Sequence, residues 1–252
     1  MGEARVMESG VEIREDGPVT IVTINRPKKM NAISSGAAKD IQQAFAEFDA
    51  SDQRVAIITG AGGKAFSSGA DVTDRPEFWR CVPTVGLDTA KPVIAAVDGW
   101  CIGGGMLLAV MADLCVCTET SKFSYPEAKV GITGGMIPAL AARIPQKMAM
   151  EIILLGRTVA GRRAYEMGLV NEVTPAGGHL DAALQMAREM ADMAPLVLST
   201  LKTAVNRDVL ARAPAEHMVH ARIALDRVAQ SYDSKEGVAA FREKRKPEFK
   251  GC

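Results

Sequence analysis

The chain has few aromatic residues, no excess of charge of either sign and no long apolar run. Aromatic residues make up 5% of its 252 residues, and 30 basic side chains balance 30 acidic ones. A net charge near zero gives no reason to expect nucleic acid or an anionic membrane surface as a partner. No segment approaches the roughly 18–20 consecutive apolar residues of a membrane span, and segment 1–16 lacks the apolar core of a signal peptide. These absences favour a cytoplasmic protein without a membrane partner.

The cysteines and histidines do not form the patterns of disulfide or metal sites. The chain has five cysteines, an odd number, and no CxxC pair. Cys115 and Cys117 alternate on a predicted strand, where they are expected to fill core space. His217 and His220 are three residues apart on a predicted helix, but no carboxylate completes a metal-binding set with them. We therefore expect no bound metal and free thiols, as in a reducing cytoplasm.

The glycine patterns that bind nucleotides are missing as well. Segment 60–65 superficially resembles a phosphate loop, but the GxxxxGK[ST] spacing is absent, and so is a GxGxxG fingerprint. A Gly-x-Ser-x-Gly nucleophile elbow does not occur either. Binding of a nucleoside triphosphate or a dinucleotide is therefore disfavoured.

The apolar patterning predicts strand–helix units followed by helices. Val11–Glu15 and Val19–Ile24 flank an Asp-Gly turn and are typical of a hairpin. A helix is predicted from residue 34 or 35 to about Asp49. Continuous apolar runs indicate strands buried on both faces at Val55–Thr59, Val93–Val97 and Leu114–Cys117. This order predicts an α/β core over residues 1–195 and a C-terminal helical region over 196–252.

Two glycine-bearing turns are each predicted to follow a buried strand. One is Gly103-Gly104-Gly105, and the other lies in segment 65–71. Glycine lets the backbone approach a ligand closely, and the first amides of a helix are unpaired at the positive end of its dipole. Because parallel strands end at one sheet edge, amides from both turns can converge on one oxygen, as in an oxyanion hole. A structural turn without any ligand is the alternative for the glycine run.

One carboxylate is predicted near the same edge. Glu127 follows the third buried strand, in the sequence Tyr125-Pro126-Glu127, and the proline stiffens its approach. A carboxylate held beside an apolar pocket has a raised pKa and can exchange protons near neutrality. The alternative is an exposed glutamate at a helix N-terminus, where the helix dipole favours it.

These motifs taken together resemble the crotonase (enoyl-CoA hydratase/isomerase) superfamily over essentially the whole chain. Each motif alone is weak, but the ordered set is specific. The set comprises Asn25-Arg26-Pro27 with Asn31-Ala32, Ala65 to Asp71, Lys91 to Gly99, Gly103-Gly104-Gly105, Tyr125-Pro126-Glu127, Ala149 to Arg157, Ala164 to Asn171 and Phe241 to Pro247.

The resemblance implies an α/β fold, a spiral of ββα units, with a C-terminal helical region that mediates trimerisation. It implies a homotrimer, or a hexamer made of two trimers, that acts on an acyl-coenzyme A thioester. Coenzyme A would be part of the substrate, with no separate cofactor. In this reading the amides of Ala70 and Gly104 hold the thioester oxygen, and Glu127 is the acid/base. The substrate would also contact Lys29, Ala32, Asp71, Val72, Thr73, Gly103 and Pro126.

Two departures from the superfamily pattern bear on the reaction. Typical hydratases have a second glutamate two residues after the glycine run, but the chain has Leu107 there. The segment from Asp71 to Lys91 is also short, so that Trp79 or Phe78 is expected to close the acyl pocket. Hydration or dehydration of a 2-enoyl-CoA is the leading expectation. The alternatives are double-bond isomerisation of an enoyl-CoA and a catalytically weak acyl-CoA-binding protein.

Overall fold

Eleven strands occur among residues 3–252, which are the residues that the computed structural model describes. They are β1 (Arg5–Val6), β2 (Val11–Asp16), β3 (Val19–Ile24), β4 (Val55–Gly60), β5 (Ala65–Ser67), β6 (Val93–Val97), β7 (Trp100–Ile102), β8 (Leu114–Thr118), β9 (Lys122–Ser124), β10 (Val159–Ala160) and β11 (Glu172–Thr174).

Nine α-helices lie in the same described part of the chain. They are α1 (Ser35–Ala50), α2 (Gly104–Met111), α3 (Glu127–Val130), α4 (Gln146–Leu155), α5 (Gly161–Glu166), α6 (His179–Ala191), α7 (Pro195–Ala204), α8 (Pro214–Gln230) and α9 (Tyr232–Glu243). Short 3-10 helices occupy Pro27–Lys29, Phe78–Cys81 and Ile137–Ala142, and a π-helical turn, Val205–Val209, follows α7.

The larger sheet has the strand order β1-β2-β3-β4-β6-β8-β11. Its first three strands are antiparallel, and β2 and β3 pair from Val11 opposite Ile24 to Asp16 opposite Val19. The predicted hairpin is therefore confirmed. From β3 onward the neighbours run parallel. The continuous apolar strands β4, β6 and β8 are buried, as expected for the centre of a parallel sheet.

Helices cover the large sheet. Helix α1 begins where predicted, since the Ser34 side chain accepts a hydrogen bond from the Ala37 amide at 3.2 Å. Ile41, Phe45 and Phe48 form its buried face. Helix α6 packs small residues on the sheet, in a core cluster formed by Ala183, Leu184 and Ala187 with Val19, Ile21, Val55, Ile57, Ile94, Ala96 and Val116.

A second sheet of four short strands, in the order β10-β9-β7-β5, was not predicted. Strands β5, β7 and β9 are parallel, and each follows a long strand of the large sheet. Each glycine turn thus comes after a long buried strand, as predicted, but a short strand that was not predicted lies between that strand and the turn. Gly99, at φ +67°, turns the chain after β6 so that β7 comes between that strand and the glycine run. The repeat of long strand, short strand and helix confirms the ββα units.

The chain divides into one compact unit that ends at Arg212 and a second, Ala213–Cys252, that consists of α8, α9 and the charged tail. The helical character of the C-terminal region is thus confirmed, while the boundary at 195/196 stays a prediction. None of the helices within residues 3–252 is both long and apolar enough to cross a membrane.

Candidate active site

The three short parallel strands of the second sheet end at one edge. Their register places Ser67 opposite Cys101 and Ile102 opposite Ser124. The Gly103 amide continues this pairing and donates to the Ser124 carbonyl at 2.9 Å. The segments that follow the strands are therefore neighbours, and they are Gly69-Ala70, Gly103-Gly104 and Pro126-Glu127.

Gly69 and Gly104 are in direct contact at this edge. A Cβ atom on Gly69 would lie 2.7 Å from the Gly104 nitrogen and 3.0 Å from the Ile102 carbonyl oxygen. Gly69 also has φ +88°, a conformation that favours glycine. The two turns therefore approach each other as closely as glycine backbones allow, which is the convergence that a two-amide oxyanion hole requires.

A short bridge orients the Ala70 amide. The Ile33 amide donates to the Gly69 carbonyl, and the Asp71 amide donates to the Ile33 carbonyl, each at 2.8 Å. Ala70 lies between the two residues that bond to Ile33. In an extended segment its own N–H and C=O therefore point away from Ile33. The Ala70 N–H therefore faces away from Ile33, and Ala70 itself is exposed to solvent.

The Gly104 amide lies in the first turn of α2. Gly103, at φ +54°, precedes the helix, and the first intrahelical bond after it runs from the Leu107 amide to the Gly103 carbonyl at 3.3 Å. Amides in the first turn have no partner within the helix and carry its partial positive charge. Gly105 allows this approach because a Cβ there would lie 2.4 Å from the Ser67 carbonyl oxygen.

The Phe78 ring covers Gly104. A Cβ on Gly104 would lie 2.3 Å from the tip of that ring, so the end of the ring is in direct contact with the glycine. Trp79 is engaged elsewhere, since the Arg80 guanidinium carbon lies 4.4 Å from the centre of its ring. Of the two aromatic residues considered from the sequence, Phe78 is the one at the glycine turn.

Glu127 is the first residue of α3 and is partly buried beside Pro126. Its Oε2 atom is buried and has no hydrogen-bond partner among the described residues. An ionised carboxylate oxygen in such a place is costly unless it exchanges hydrogen bonds or protons with something else. The geometry therefore favours the predicted acid/base over the alternative of an exposed helix-terminal glutamate.

Tyr125 is a polar group that the sequence reasoning quoted only as part of a motif. Tyr125 is 2% exposed, and its hydroxyl is buried without a hydrogen-bond partner within residues 3–252. Burial and the facing Glu127 carboxylate hold the pKa of this phenol well above its usual range. The available signal was a tyrosine two residues before the candidate acid/base, at the end of a buried strand.

Leu107, by contrast, offers no polar group. Its side chain is 2% exposed in the second turn of α2, among other buried apolar residues of that helix. A leucine cannot hold a water molecule or move a proton. Helix α2 therefore contributes no carboxylate beside Glu127, and the Asp71 carboxylate of the other turn is paired with Arg26 and Lys29.

A polar cluster lies beside the Ala70 turn. Asp71 Oδ2 accepts from Arg26 and Lys29 at 3.1 Å each, and Oδ1 accepts from the Thr73 amide and hydroxyl at 3.0 and 2.6 Å. The bonds from Thr73 and then from the two cations hold the pKa of Asp71 well below its usual range. Asp71 thus orders this turn and positions Lys29, whose side chain is 55% exposed.

The other predicted contact residues surround this cluster. Ala32 is buried next to the Arg26 guanidinium, which bonds to its carbonyl oxygen. Val72 is 71% exposed, which is unusual for a large apolar side chain. Lys29, Val72 and Thr73 therefore form an accessible surface that leads to the two glycine turns.

Comparisons with known proteins agree with the fold. Residues 14–252 match the enoyl-CoA hydratase/isomerase family. A carnitinyl-CoA dehydratase from Salmonella arizonae is 35% identical over 97% of this chain and 100% of its own. The crystal structure of an enoyl-CoA hydratase from Mycobacterium tuberculosis H37Rv has a TM-score of 0.73 and 34% identity, covering 97% of this chain and 100% of its own.

A carnitinyl-CoA dehydratase from Mycobacterium avium 104 is also similar, with a TM-score of 0.74 and 32% identity over 96% of this chain and 99% of its own. The chain therefore belongs to the enoyl-CoA hydratase/isomerase family, and its crotonase-type fold is confirmed. The expectation of an enzyme in the hydratase class is confirmed as well.

Proposed function

We propose that this enzyme adds water reversibly across the C2–C3 double bond of a 2-enoyl-CoA. The observation that carries the proposal is the convergence of three segments at one sheet edge. Gly69 and Gly104 touch there, and Glu127, with an unpartnered carboxylate oxygen, lies at the end of the neighbouring strand. Acyl-CoA thioesters are the substrates named for the relatives, and the site has the donors that such a thioester needs.

In the proposed reaction the Ala70 and Gly104 amides hold the thioester oxygen. Negative charge develops on that oxygen as water adds at C3, because the electrons of the double bond move into an enolate. Each oxyanion donor of this kind contributes roughly 3–4 kcal/mol to lowering the barrier. Glu127 takes a proton from the water and returns it to C2, so that the carboxylate is regenerated.

The surface beside the site is proposed to bind the coenzyme A portion. Lys29 offers an exposed ammonium group to its phosphates, and Ala32 lies next to it. Segment 70–73 extends from the thioester site along the pantetheine arm, with Val72 as an apolar contact. Gly103 and Pro126 border the thioester, and Phe78 forms an apolar wall that excludes water from the enolate.

Double-bond isomerisation is a second candidate, and Leu107 is the observation that favours it. Moving a proton between C2 and C4 requires one carboxylate and the oxyanion hole, with no water to activate. This reaction uses the same Ala70, Gly104 and Glu127 in the same roles.

One pair of assays separates these reactions. The purified protein is incubated with crotonyl-CoA and, separately, with a 3-enoyl-CoA, while the absorbance of the conjugated thioester is followed; carnitinyl-CoA is tested in parallel. A loss of the conjugated-thioester absorbance with crotonyl-CoA supports the hydratase, and so does a gain of that absorbance with carnitinyl-CoA. Gain of absorbance from the 3-enoyl-CoA alone supports the isomerase. Tight acyl-CoA binding without either reaction indicates a binding protein.

We further propose that the enzyme is a cytoplasmic homotrimer or a hexamer of two trimers. Exposed apolar side chains on α7 support self-association, with Leu196 77% and Leu201 60% exposed. All five cysteines are free thiols, which a reducing compartment maintains. Sedimentation velocity of the full chain tests the assembly, and a monomer at micromolar concentration contradicts it.

A further inference from the structure

Two buried polar atoms near the end of β9 have no partner among the described residues. They are the Tyr125 hydroxyl oxygen and Glu127 Oε2. Buried polar atoms in folded proteins are almost always hydrogen-bonded, so an orphaned pair in one place calls for an explanation. One is a donor and the other an acceptor, and they are separated by a single proline.

The two groups lie close to each other. Burial and then the nearby Glu127 carboxylate raise the pKa of Tyr125, and the neighbouring Thr133 hydroxyl opposes that rise. Tyr125 therefore stays protonated at neutral pH and is available as a hydrogen-bond donor. Glu127, when ionised, can only accept. A buried donor and a buried acceptor that lie close together can hold one water molecule between them.

The position that would supply a second carboxylate is apolar. Leu107 is buried and has no atom that can bond to water. If Glu127 acted alone in hydration, the attacking water would have a single side chain as its hydrogen-bond partner. Tyr125 is the nearest buried side chain in sequence that can provide another, because its ring is fixed at the end of a paired strand.

We propose that Tyr125 and Glu127 together hold the water that adds to C3, so that the tyrosine hydroxyl fills the role of the missing second carboxylate. This inference rests on the proposed hydratase function. It assigns a catalytic role to a residue whose type at this position would otherwise be explained by core packing.

The step balances without a further reactant. The water accepts a hydrogen bond from the Tyr125 hydroxyl and donates one to Glu127 Oε2. As its oxygen bonds to C3, one proton passes to Glu127, and the C2–C3 electron pair moves toward the thioester oxygen. Glu127 then gives that proton to C2 as the enolate collapses. Tyr125 keeps its own proton throughout, and the net change is addition of H and OH.

The test compares two reactions of one variant, Tyr125→Phe. Hydration of crotonyl-CoA requires a held water, whereas exchange of the C2 hydrogens of butyryl-CoA with deuterated solvent requires only Glu127 and the oxyanion hole. We expect hydration to fall about 100-fold. Exchange and the dissociation constant for butyryl-CoA should stay within about twofold. The variant should fold at least as stably as the wild type, because it loses an unpartnered buried hydroxyl.

Tyr165→Phe is the matched control, since it makes the same change at a side chain that is 49% exposed on α5. It should match the wild type in all three measurements. Equal hydration by Tyr125→Phe and the wild type overturns the inference, and so does a parallel loss of hydration and exchange. A wild type that hydrates no enoyl-CoA refutes the proposed function itself, and this is seen before any variant is made.

Discussion

Gly69 packs against the backbone nitrogen of Gly104, and a Cβ on Gly69 would lie 2.7 Å from that nitrogen. The two residues belong to different ββα units, and their contact brings the Ala70 and Gly104 amides to one place. The distance leaves no room for a methyl group, because real Cβ atoms do not approach backbone atoms so closely. The proposed oxyanion hole therefore depends on glycine at position 69.

Gly69→Ala is expected to lower the hydration rate by at least about 100-fold, since the displaced Gly104 amide no longer meets the thioester oxygen. The positive φ of +88° adds a stability loss of about 1–3 kcal/mol. Gly177→Ala is the matched control, because Gly177 has φ +81° but nothing within 4 Å of the added Cβ. The Gly177→Ala variant should lose stability and keep the wild-type hydration rate. Equal hydration rates for Gly69→Ala and Gly177→Ala contradict the account.

Phe78→Ala is expected to widen the acyl pocket. The ring rests on Gly104, so its removal opens space beside the thioester. We expect the kcat/KM for a longer or branched 2-enoyl-CoA to rise about tenfold relative to crotonyl-CoA. Trp79→Ala should leave that ratio unchanged, because the Trp79 ring packs against Arg80. A shift in Trp79→Ala but not in Phe78→Ala shows that the wrong aromatic residue was assigned.

Lys29→Ala is expected to weaken binding of coenzyme A about three- to tenfold, with kcat unchanged. The exposed ammonium group is positioned by Asp71, and its attraction for phosphate is reduced by salt. The difference between variant and wild type should therefore shrink in 0.5 M salt. Lys28→Ala removes an exposed charge from the adjacent residue and is the control. Calorimetric titration with coenzyme A measures the affinity of both variants and its dependence on salt.

His179 is expected to make the fold less stable in mild acid. Burial lowers the pKa of this imidazole, and the carboxylates of Asp98 and Asp181 oppose that effect. The Nδ1 atom is buried, has no hydrogen bond to any residue that the structure describes, and lies 4.0 Å from Asp98 Oδ2. The unfolded chain therefore binds a proton more readily than the folded one, and stability falls as the pH drops through the ordinary histidine value of about 6.5.

The variant His179→Gln should make folding stability depend less on pH in this range. Its free energy of unfolding in urea is expected to change less than that of the wild type between about pH 7 and pH 5. The same slope in both proteins means that another group is responsible for the acid sensitivity.

The parts of the fold that the sequence predicts are those with a strong local pattern. The hairpin and α1 have apolar periodicity, the buried strands β4, β6 and β8 have continuous apolar runs of at least four residues, and these predictions are confirmed. Strands β5, β7 and β9 have three residues each, and glycines flank β7 on both sides. No periodicity can be read from such short segments, because pairing between distant parts of the chain determines them.

The site was predictable to a similar extent. The glycine run 103–105 and Glu127 follow from the order of strands and turns, because parallel strands end together. The choice of the Ala70 and Gly104 amides comes from the family resemblance. The Phe78 ring over Gly104 and the Tyr125 hydroxyl facing Glu127 depend on how side chains pack across units. Neither has a local sequence signal of sufficient strength, and only the folded arrangement identifies them.

The central claim is that a single carboxylate, Glu127, moves the proton while two backbone amides hold the thioester. The most direct test is the rate of crotonyl-CoA hydration by Glu127→Gln, measured beside the dissociation constant for butyryl-CoA. The account predicts a loss of at least about 100-fold in turnover with binding retained, because glutamine keeps the shape but cannot carry the proton. Unchanged turnover in this variant would remove Glu127 from the mechanism.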